Sequence, residues 1–274
     1  MEINKPENLA GRVLAVDGDI LAYRTAAVCE EHFEKSCEEI INTTLRNIAT
    51  DTGIESMRIY ISGANNFRYH VAKTLPYKGN RATFVAPKFL NYCKDFLASK
   101  YRAIRMNGYE ADDGIATDMT LHKAIHCGID KDMFQIEGLH YNWVNKEWFE
   151  VTTEQATLNL YRQILMGDRS DNIPGLPRVG EKKAESAIQD HITALNDALL
   201  MYEQVCLEKL PETNYKEYFK EQAALITMVR DVNLFDCITT FVEMDTAGFE
   251  TSEGDFDGTE SEPKSVQEKL RVKI

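Results

Sequence analysis

Four short apolar runs at residues 13–16, 58–61, 102–106 and 124–127 are separated by stretches of helical periodicity. The first, Val-Leu-Ala-Val, is continuously apolar, as a parallel strand covered on both faces must be. Between the runs, Ser36-Cys-Glu-Glu39 reads as a capping box ahead of Ile41, Leu45 and Ile48 on one helical face, with Gly53 as the stop. Phe89, Cys93, Phe96, Leu97 and Tyr101 make a second apolar stripe. Alternation of strand and helix implies βαβ crossovers. The expected fold class is therefore α/β, with a central, mostly parallel sheet flanked by helices.

In such sheets functional groups gather at the carboxyl ends of strands. The acids of this chain fall there. Asp17 ends the first run, Glu110-Ala-Asp-Asp113 follows the third, and Asp130-Lys-Asp132 follows the fourth. Asp168 and Asp171 lie in the helical part. The arrangement brings eight carboxylates from four segments toward one edge, a cluster that repels itself unless cations neutralise it. Hard oxygen ligands favour Mg²⁺, with Mn²⁺ able to substitute. Two such ions about 4 Å apart suit phosphodiester hydrolysis. Each acid also has a plainer role open to it. Asp112 and Asp113 suit a helix N-terminus, and Asp130 and Asp132 suit a turn.

After residue 150 the pattern turns helical. Thr152-Thr-Glu-Gln155 caps a helix with Leu158, Tyr161, Ile164 and Leu165 inward, ended by Gly167. Residues 167–184 then read Gly-Asp-Arg-Ser-Asp-Asn-Ile-Pro-Gly-Leu-Pro-Arg-Val-Gly-Glu-Lys-Lys-Ala. A Gly/Pro hairpin entering a basic helix start offers backbone N–H groups to phosphates, the contact that sequence-independent DNA binding needs. Gly175, Arg178, Val179, Gly180, Lys182 and Lys183 are its candidate DNA contacts. The expected organisation is an α/β domain over 1–150 with a helical arch at about 64–109, a helical module over 151–242 with the hairpin motif at 167–189, and an acidic tail over 243–274.

The net charge of −13 argues against a nucleic-acid partner until its distribution is read. Residues 243–263 hold eight acids and no base, whereas residues 64–109 hold nine bases against Asp95 alone. That basic segment is an electrostatic footprint. No run reaches the roughly 20 apolar residues of a membrane span. The first residues lack an apolar signal region, so a cytoplasmic location is expected, in the host cytoplasm for a phage protein. The six cysteines form no CxxC pair and read as reduced thiols. His122 and His126, four apart with Cys127 adjacent, have the spacing of two ligands on one helix face, but no further ligand completes a zinc site.

With these motifs in order, the sequence resembles the 5′-nuclease superfamily in its phage and bacterial 5′→3′ exonuclease and flap endonuclease branch. Val16-Asp-Gly18, Tyr77-Lys-Gly-Asn-Arg81, Glu110-Ala-Asp-Asp113, Asp130-Lys-Asp132 and the hairpin carry the likeness over residues 12–240. The resemblance implies a PIN/5′-nuclease-like sheet with a C-terminal helix–three-turn–helix module. It gives Asp17, Glu110, Asp112 and Asp113 the first metal, and Asp130, Asp132, Asp168 and Asp171 the second. It gives Lys78 and Arg81 the scissile phosphate and Tyr77 a stacking role on an unpaired base, and it puts K⁺ at the hairpin. It implies a monomer acting on DNA duplex ends, nicks and 5′ flaps, and on RNA–DNA hybrids.

Three departures qualify the likeness. Ser62 stands where the second strand of the family ends in an aspartate. Arg178 stands where the hairpin has glycine. Only 28 residues separate Arg81 from Glu110, enough for one helix and a loop near Pro87. A short arch demands a threaded flap less, so a 5′→3′ exodeoxyribonuclease is expected. The alternatives are dominant flap cleavage and a catalytically weak, structure-specific DNA-binding protein. A PIN-type ribonuclease would lack the hairpin.

Overall fold

A computed structural model describes residues 1–29, 34–81, 83–231, 242–244 and 270–272. Two compact units divide the chain: Met1–Asn66 with Arg81–Asn159, and Phe67–Asn80 with the residues from Leu160 onward.

The first unit is built on a seven-stranded sheet. Its strands are β1 (Glu2–Ile3), β2 (Leu14–Asp17), β3 (Met57–Ser62), β4 (Ile104–Met106), β5 (Ile125–Cys127), β6 (Gly138–Asn142) and β7 (Glu147–Val151), ordered β1-β7-β6-β5-β2-β3-β4. The five from β6 to β4 run parallel, and β7 and β1 close the edge antiparallel. All four expected strands are present, and the sheet is the mostly parallel one the alternation implies. The sequence reading did not place β6 and β7. Their polar residues His140, Asn142, Glu147 and Glu150 mask the period-two signal that an edge hairpin gives.

Every residue of β2 is buried, which explains its continuous apolarity. One face of the sheet carries α1 (Gly18–Val28), α2 (Glu34–Thr52) and α4 (Leu90–Tyr101), joined to it through Val16, Leu21, Ile41, Leu45, Ile61 and Leu97. Helix α2 presents Ile41, Leu45 and Ile48 inward and stops before Gly53, whose φ of 73° only glycine adopts freely. Its described part already includes Glu34 and Lys35, so Ser36 lies within the helix and the expected capping box is not its N-terminus. The box before α6 (Thr153–Met166) does form, with reciprocal Thr152–Gln155 hydrogen bonds of 3.1 and 3.3 Å.

Helix α5 (Ala111–His122) ends at His122, and Lys123 turns the chain with a left-handed φ of 55° before β5. His122 and His126 therefore share no helix face. His122 pairs with Asp118, while buried His126 meets His140 at 3.0 Å between Nδ1 atoms. Burial holds both imidazoles neutral, with His140 pushed down to about 4.

The second unit contains α3 (Arg68–Val71), α7 (Glu181–Ala187), α8 (Ala194–Lys209) and α9 (Tyr215–Ile226). Helix α9 organises it. Glu221 accepts from Lys73 N, Thr74 N and Thr74 Oγ1 at 2.6–2.7 Å. The next residue, Gln222, accepts from Gly175 N through Oε1, and Tyr218, about one turn earlier, donates from Oη to Gly175 O. Arg68, buried, donates to Leu225 O and Thr227 O. These side chains bind residues 67–80 and the hairpin to one helix. Most of the expected acidic tail, and Cys237, lie outside the described residues; within the tail, Val242–Met244 pairs with Leu270–Val272 as a short antiparallel ribbon.

Gly18 begins α1 where the chain leaves β2. A Cβ there would lie 2.6 Å from Tyr60 O and 2.7 Å from Ile61 Cγ2. Gly18→Ala is expected to destabilise the chain by about 2 kcal/mol through overpacking. Urea unfolding midpoints check this, and an unchanged midpoint would contradict the close crossing of α1 over β3.

Candidate active site

The chain runs from β2 through β3 to β4, then returns across the sheet to β5. The carboxyl ends of β2 and β5 therefore flank a topological switch point, where parallel sheets open a crevice. Asp17 ends β2, and Asp130 follows β5. Helix α5 starts beside them with Glu110, Asp112 and Asp113.

Local structure fixes each carboxylate. Asp17, 3% exposed, caps α1 by accepting from Ile20 N at 3.0 Å. Glu110 and Asp113 form a reciprocal capping box on α5, with Asp113 Oδ2 accepting from Glu110 N at 3.0 Å. Asp130 Oδ1 accepts from Asp132 N at 2.8 Å and caps a 3₁₀ turn. The plainer roles weighed from the sequence are thus real, and they set the geometry. Capping aims the carboxylates along helix and strand ends.

Their electrostatics exceed what capping needs. Burial pushes the Asp17 carboxyl up to about 7, and the neighbouring charges of Asp19 and Asp130 add to that rise. Asp112, half-buried, is raised well above the usual carboxylate range by burial and by Asp17, Asp130, Glu110 and Asp113. Three segments distant in sequence thus feel one another's charge. Among the described residues, no three His, Cys, Asp or Glu side chains already form a metal-ligand group. The donor set nonetheless fits a hard divalent cation: oxygen ligands alone, with crowding that a cation relieves.

Sequence reasoning passed over Asp19, the second acid of the Val16-Asp-Gly-Asp motif. Its carboxylate oxygens lie 3.1 and 3.2 Å from Ser62 N, and Lys94 Nζ on α4 is 2.7 Å away. Ser62 Oγ accepts from Ala111 N at 3.0 Å. Arg81 is exposed, and the span from it to Glu110 holds one helix, α4, after a loop through Pro87.

In the second unit, Gly167 and Gly175 meet back to back, with φ of 71° and 58°. A Cβ on either would come within 2.3 Å of the opposite backbone, so the hairpin closes only with glycine at both positions. Arg178 has a φ of 63°, a left-handed angle held by a residue other than glycine where the family pattern has glycine. Gly180, by contrast, faces open space. Arg178, Lys182 and Lys183 are exposed on the hairpin and α7, and Val179 N donates to Leu176 O within the turn.

Asp168 holds the hairpin's first turn through Ser170 N and Oγ at 2.7 and 3.0 Å. Asp171 Oδ2 accepts from Tyr77 Oη at 2.7 Å and lies 3.6 Å from Lys78 Nζ. Tyr77 is only 4% exposed, with Tyr69 edge-on against it and Lys78 above its ring. It leaves no free face for a base, so the stacking role expected of Tyr77 is corrected to that of a buried support for Asp171.

This fold, with carboxylates at the switch point and a glycine-closed hairpin, defines the class of α/β proteins that pair an acidic crevice with a helical hairpin module. In sequence the chain is similar to bacterial 5′-3′ exonucleases and flap endonucleases. It is 25% identical over 254 residues to flap endonuclease Xni of Pseudoalteromonas translucida, covering 83% of this chain and 92% of the relative. It is 35% identical over 133 residues to a 5′-3′ exonuclease of Halalkalibacterium halodurans, covering 42% of each. DNA polymerase I of Bacillus caldotenax is 28% identical over 235 residues, 74% of this chain and 26% of the polymerase. The chain thus spans about a quarter of that polymerase and under half of that exonuclease. No family model matches it. In fold it matches the phage T5 D15 protein co-crystallised with metal ions, with a TM-score of 0.60 and 18% identity over 80% of this chain and 90% of that one.

The raised Asp17 carboxyl makes a stability prediction. Its folded pKa of about 7 exceeds the ordinary 3.8, so the folded chain holds a proton the unfolded one has lost. Stability therefore falls as pH rises from 4 to 7 and stays low above that. Asn retains the α1 cap without the charge. At pH 8 without divalent cations, Asp17→Asn is expected to gain about 1 kcal/mol or more, roughly 2–4 °C in Tm. At pH 4 the two should converge. A lower Tm for the variant at pH 8 would contradict the buried-charge penalty.

Proposed function

We propose that the protein is a metal-dependent 5′→3′ exodeoxyribonuclease that hydrolyses phosphodiester bonds from the 5′ ends of duplex DNA, at nicks and at gaps. The observation that carries this reading is the mutual charge crowding of Asp17, Asp112 and Asp130 at the switch point. A structural sheet has no use for such a cluster, whereas phosphodiester hydrolysis does. Asp17, Glu110, Asp112 and Asp113 are the residues to hold a first ion, and Asp130 and Asp132 to contribute to a second. When bound, Mg²⁺ or Mn²⁺ supplies an activated water and neutralises charge at the phosphate. Lys78 and Arg81 are assigned to the phosphate's developing charge, where a fixed cation is worth most. The exposed bases of the hairpin, Arg178, Lys182 and Lys183, are assigned to the duplex backbone, with K⁺ as a candidate ion there. Such contacts read no sequence and extend to an RNA–DNA hybrid.

Exonucleolytic action is favoured over flap cleavage because α4, the helix described between Arg81 and Glu110, packs on the sheet, which leaves the short loop before it as the arch. Dominant flap cleavage is the second reading, favoured by the 92% coverage of the relative named flap endonuclease Xni. A Mg²⁺-dependent time course on a 5′-labelled blunt duplex beside a 5′-flap duplex separates them. Early mono- or short oligonucleotides from the blunt end are expected. Cleavage at the flap junction alone would establish the second reading, and tight binding without cleavage of either would leave a DNA-binding protein.

Two substitutions test the assignments. Asp130→Asn is expected to abolish cleavage while DNA affinity stays within about twofold; retained turnover would refute its place among the metal ligands. Lys78→Ala should lower the single-turnover rate more than affinity. A large binding loss at an unchanged rate would make Lys78 a phosphate anchor only.

A further inference from the structure

Asp19 does more than favour the start of α1. It stands second in α1, yet both its carboxylate oxygens reach across to Ser62 N, at the carboxyl end of β3. Ser62 is where the family pattern places an aspartate. A carboxylate is therefore present at the end of β3 after all, delivered from α1 instead of from the strand. Ser62 Oγ in turn accepts from Ala111 N, the residue between Glu110 and Asp112. Asp19, Ser62 and the start of α5 form one hydrogen-bonded chain along the edge that carries Asp17. The Asp19 side chain is 28% exposed, so solvent and its ions reach it. Its charge also reaches Asp17.

We infer that Asp19 is a working member of the divalent-cation site, supplying the strand-end carboxylate that Ser62 lacks and holding the water shell of an ion bound at Asp17. The inference rests on the metal-site reading above. With serine at 62, the carboxylate at the end of β3 comes from α1 instead. Lys94, 2.7 Å from Asp19 Oδ1, competes with that ion for the carboxylate and ties α4 to the same edge.

The plainer role for Asp19 is to anchor α4 through Lys94. The two roles predict opposite outcomes, read without DNA or turnover. Mn²⁺ is titrated into the full chain, with binding followed by electron paramagnetic resonance and by the rise in melting temperature. Asp19→Ser is expected to weaken Mn²⁺ affinity by about tenfold or more, the usual loss when a carboxylate supporting a metal site is removed. The exchange variant Asp19→Ser/Ser62→Asp should restore affinity to near the natural value. Lys94→Met breaks the same ion pair but removes a competitor, so affinity should hold or tighten.

Unchanged Mn²⁺ affinity in Asp19→Ser overturns the inference. So does Lys94→Met weakening Mn²⁺ as much as Asp19→Ser does, since that marks an α4 anchor. Should Asp19→Ser fail to fold, the exchange variant decides: retained affinity supports the carboxylate's part in the cation site, and lost affinity overturns it. Absence of any Mn²⁺ binding by the natural chain would instead sink the metal-site reading itself, and Asp19's part with it.

Discussion

Repulsion among carboxylates at the end of a parallel sheet is the constraint on which the rest of the first unit turns. Asp17 sits at the foot of α1 because β2 ends there, and burial beneath the crossing of α1 and β3 takes its charge out of water. Asp112 and Asp130 arrive from α5 and from the turn after β5, and each adds to the cost. A chain pays such a cost where a bound ion returns it. The helix caps are the means rather than the purpose: they fix where each carboxylate points before any ion arrives, so that binding need not order the ligands.

The same logic explains which features were legible from the sequence. Continuous apolarity announced β2, and the acids that follow β2, β4 and β5 marked the reactive edge without any structure. The α6 capping box was read correctly because Thr152 and Gln155 flank a true N-terminus. The box at Ser36 was misread because Glu34 and Lys35 already favour helix, so nothing stops the turn from starting earlier. The β6–β7 hairpin escaped because its polar residues face partners that a one-dimensional pattern does not show, His126 beside His140 above all. Asp19 escaped for a related reason: its partner, Ser62, lies 43 residues on. Tyr77 was misassigned because a tyrosine beside basic residues looks like a stacking platform until burial is known.

In the second unit a different constraint rules. Gly167 and Gly175 touch, and α9 pins Gly175 from both its N–H and its carbonyl. The hairpin is therefore held from within the module. Arg178 carries a left-handed backbone angle that costs of order 1 kcal/mol or more in a residue with a Cβ. The tightly held turn around it bears that cost, and a positive side chain projects from the tip as a result.

The central claim is that the crowded carboxylates of the first unit are a cation site. Calorimetric titration of Mg²⁺ into the chain near pH 6.5, in two buffers of different ionisation enthalpy, measures the protons released on binding. Groups pushed up toward neutrality must give up their protons to coordinate. The account predicts release approaching one proton per bound ion at pH 6.5, falling toward zero by pH 9. Binding with no proton release at either pH would mean that the ion sits elsewhere and that Asp17 and Asp112 are buried acids without a metal.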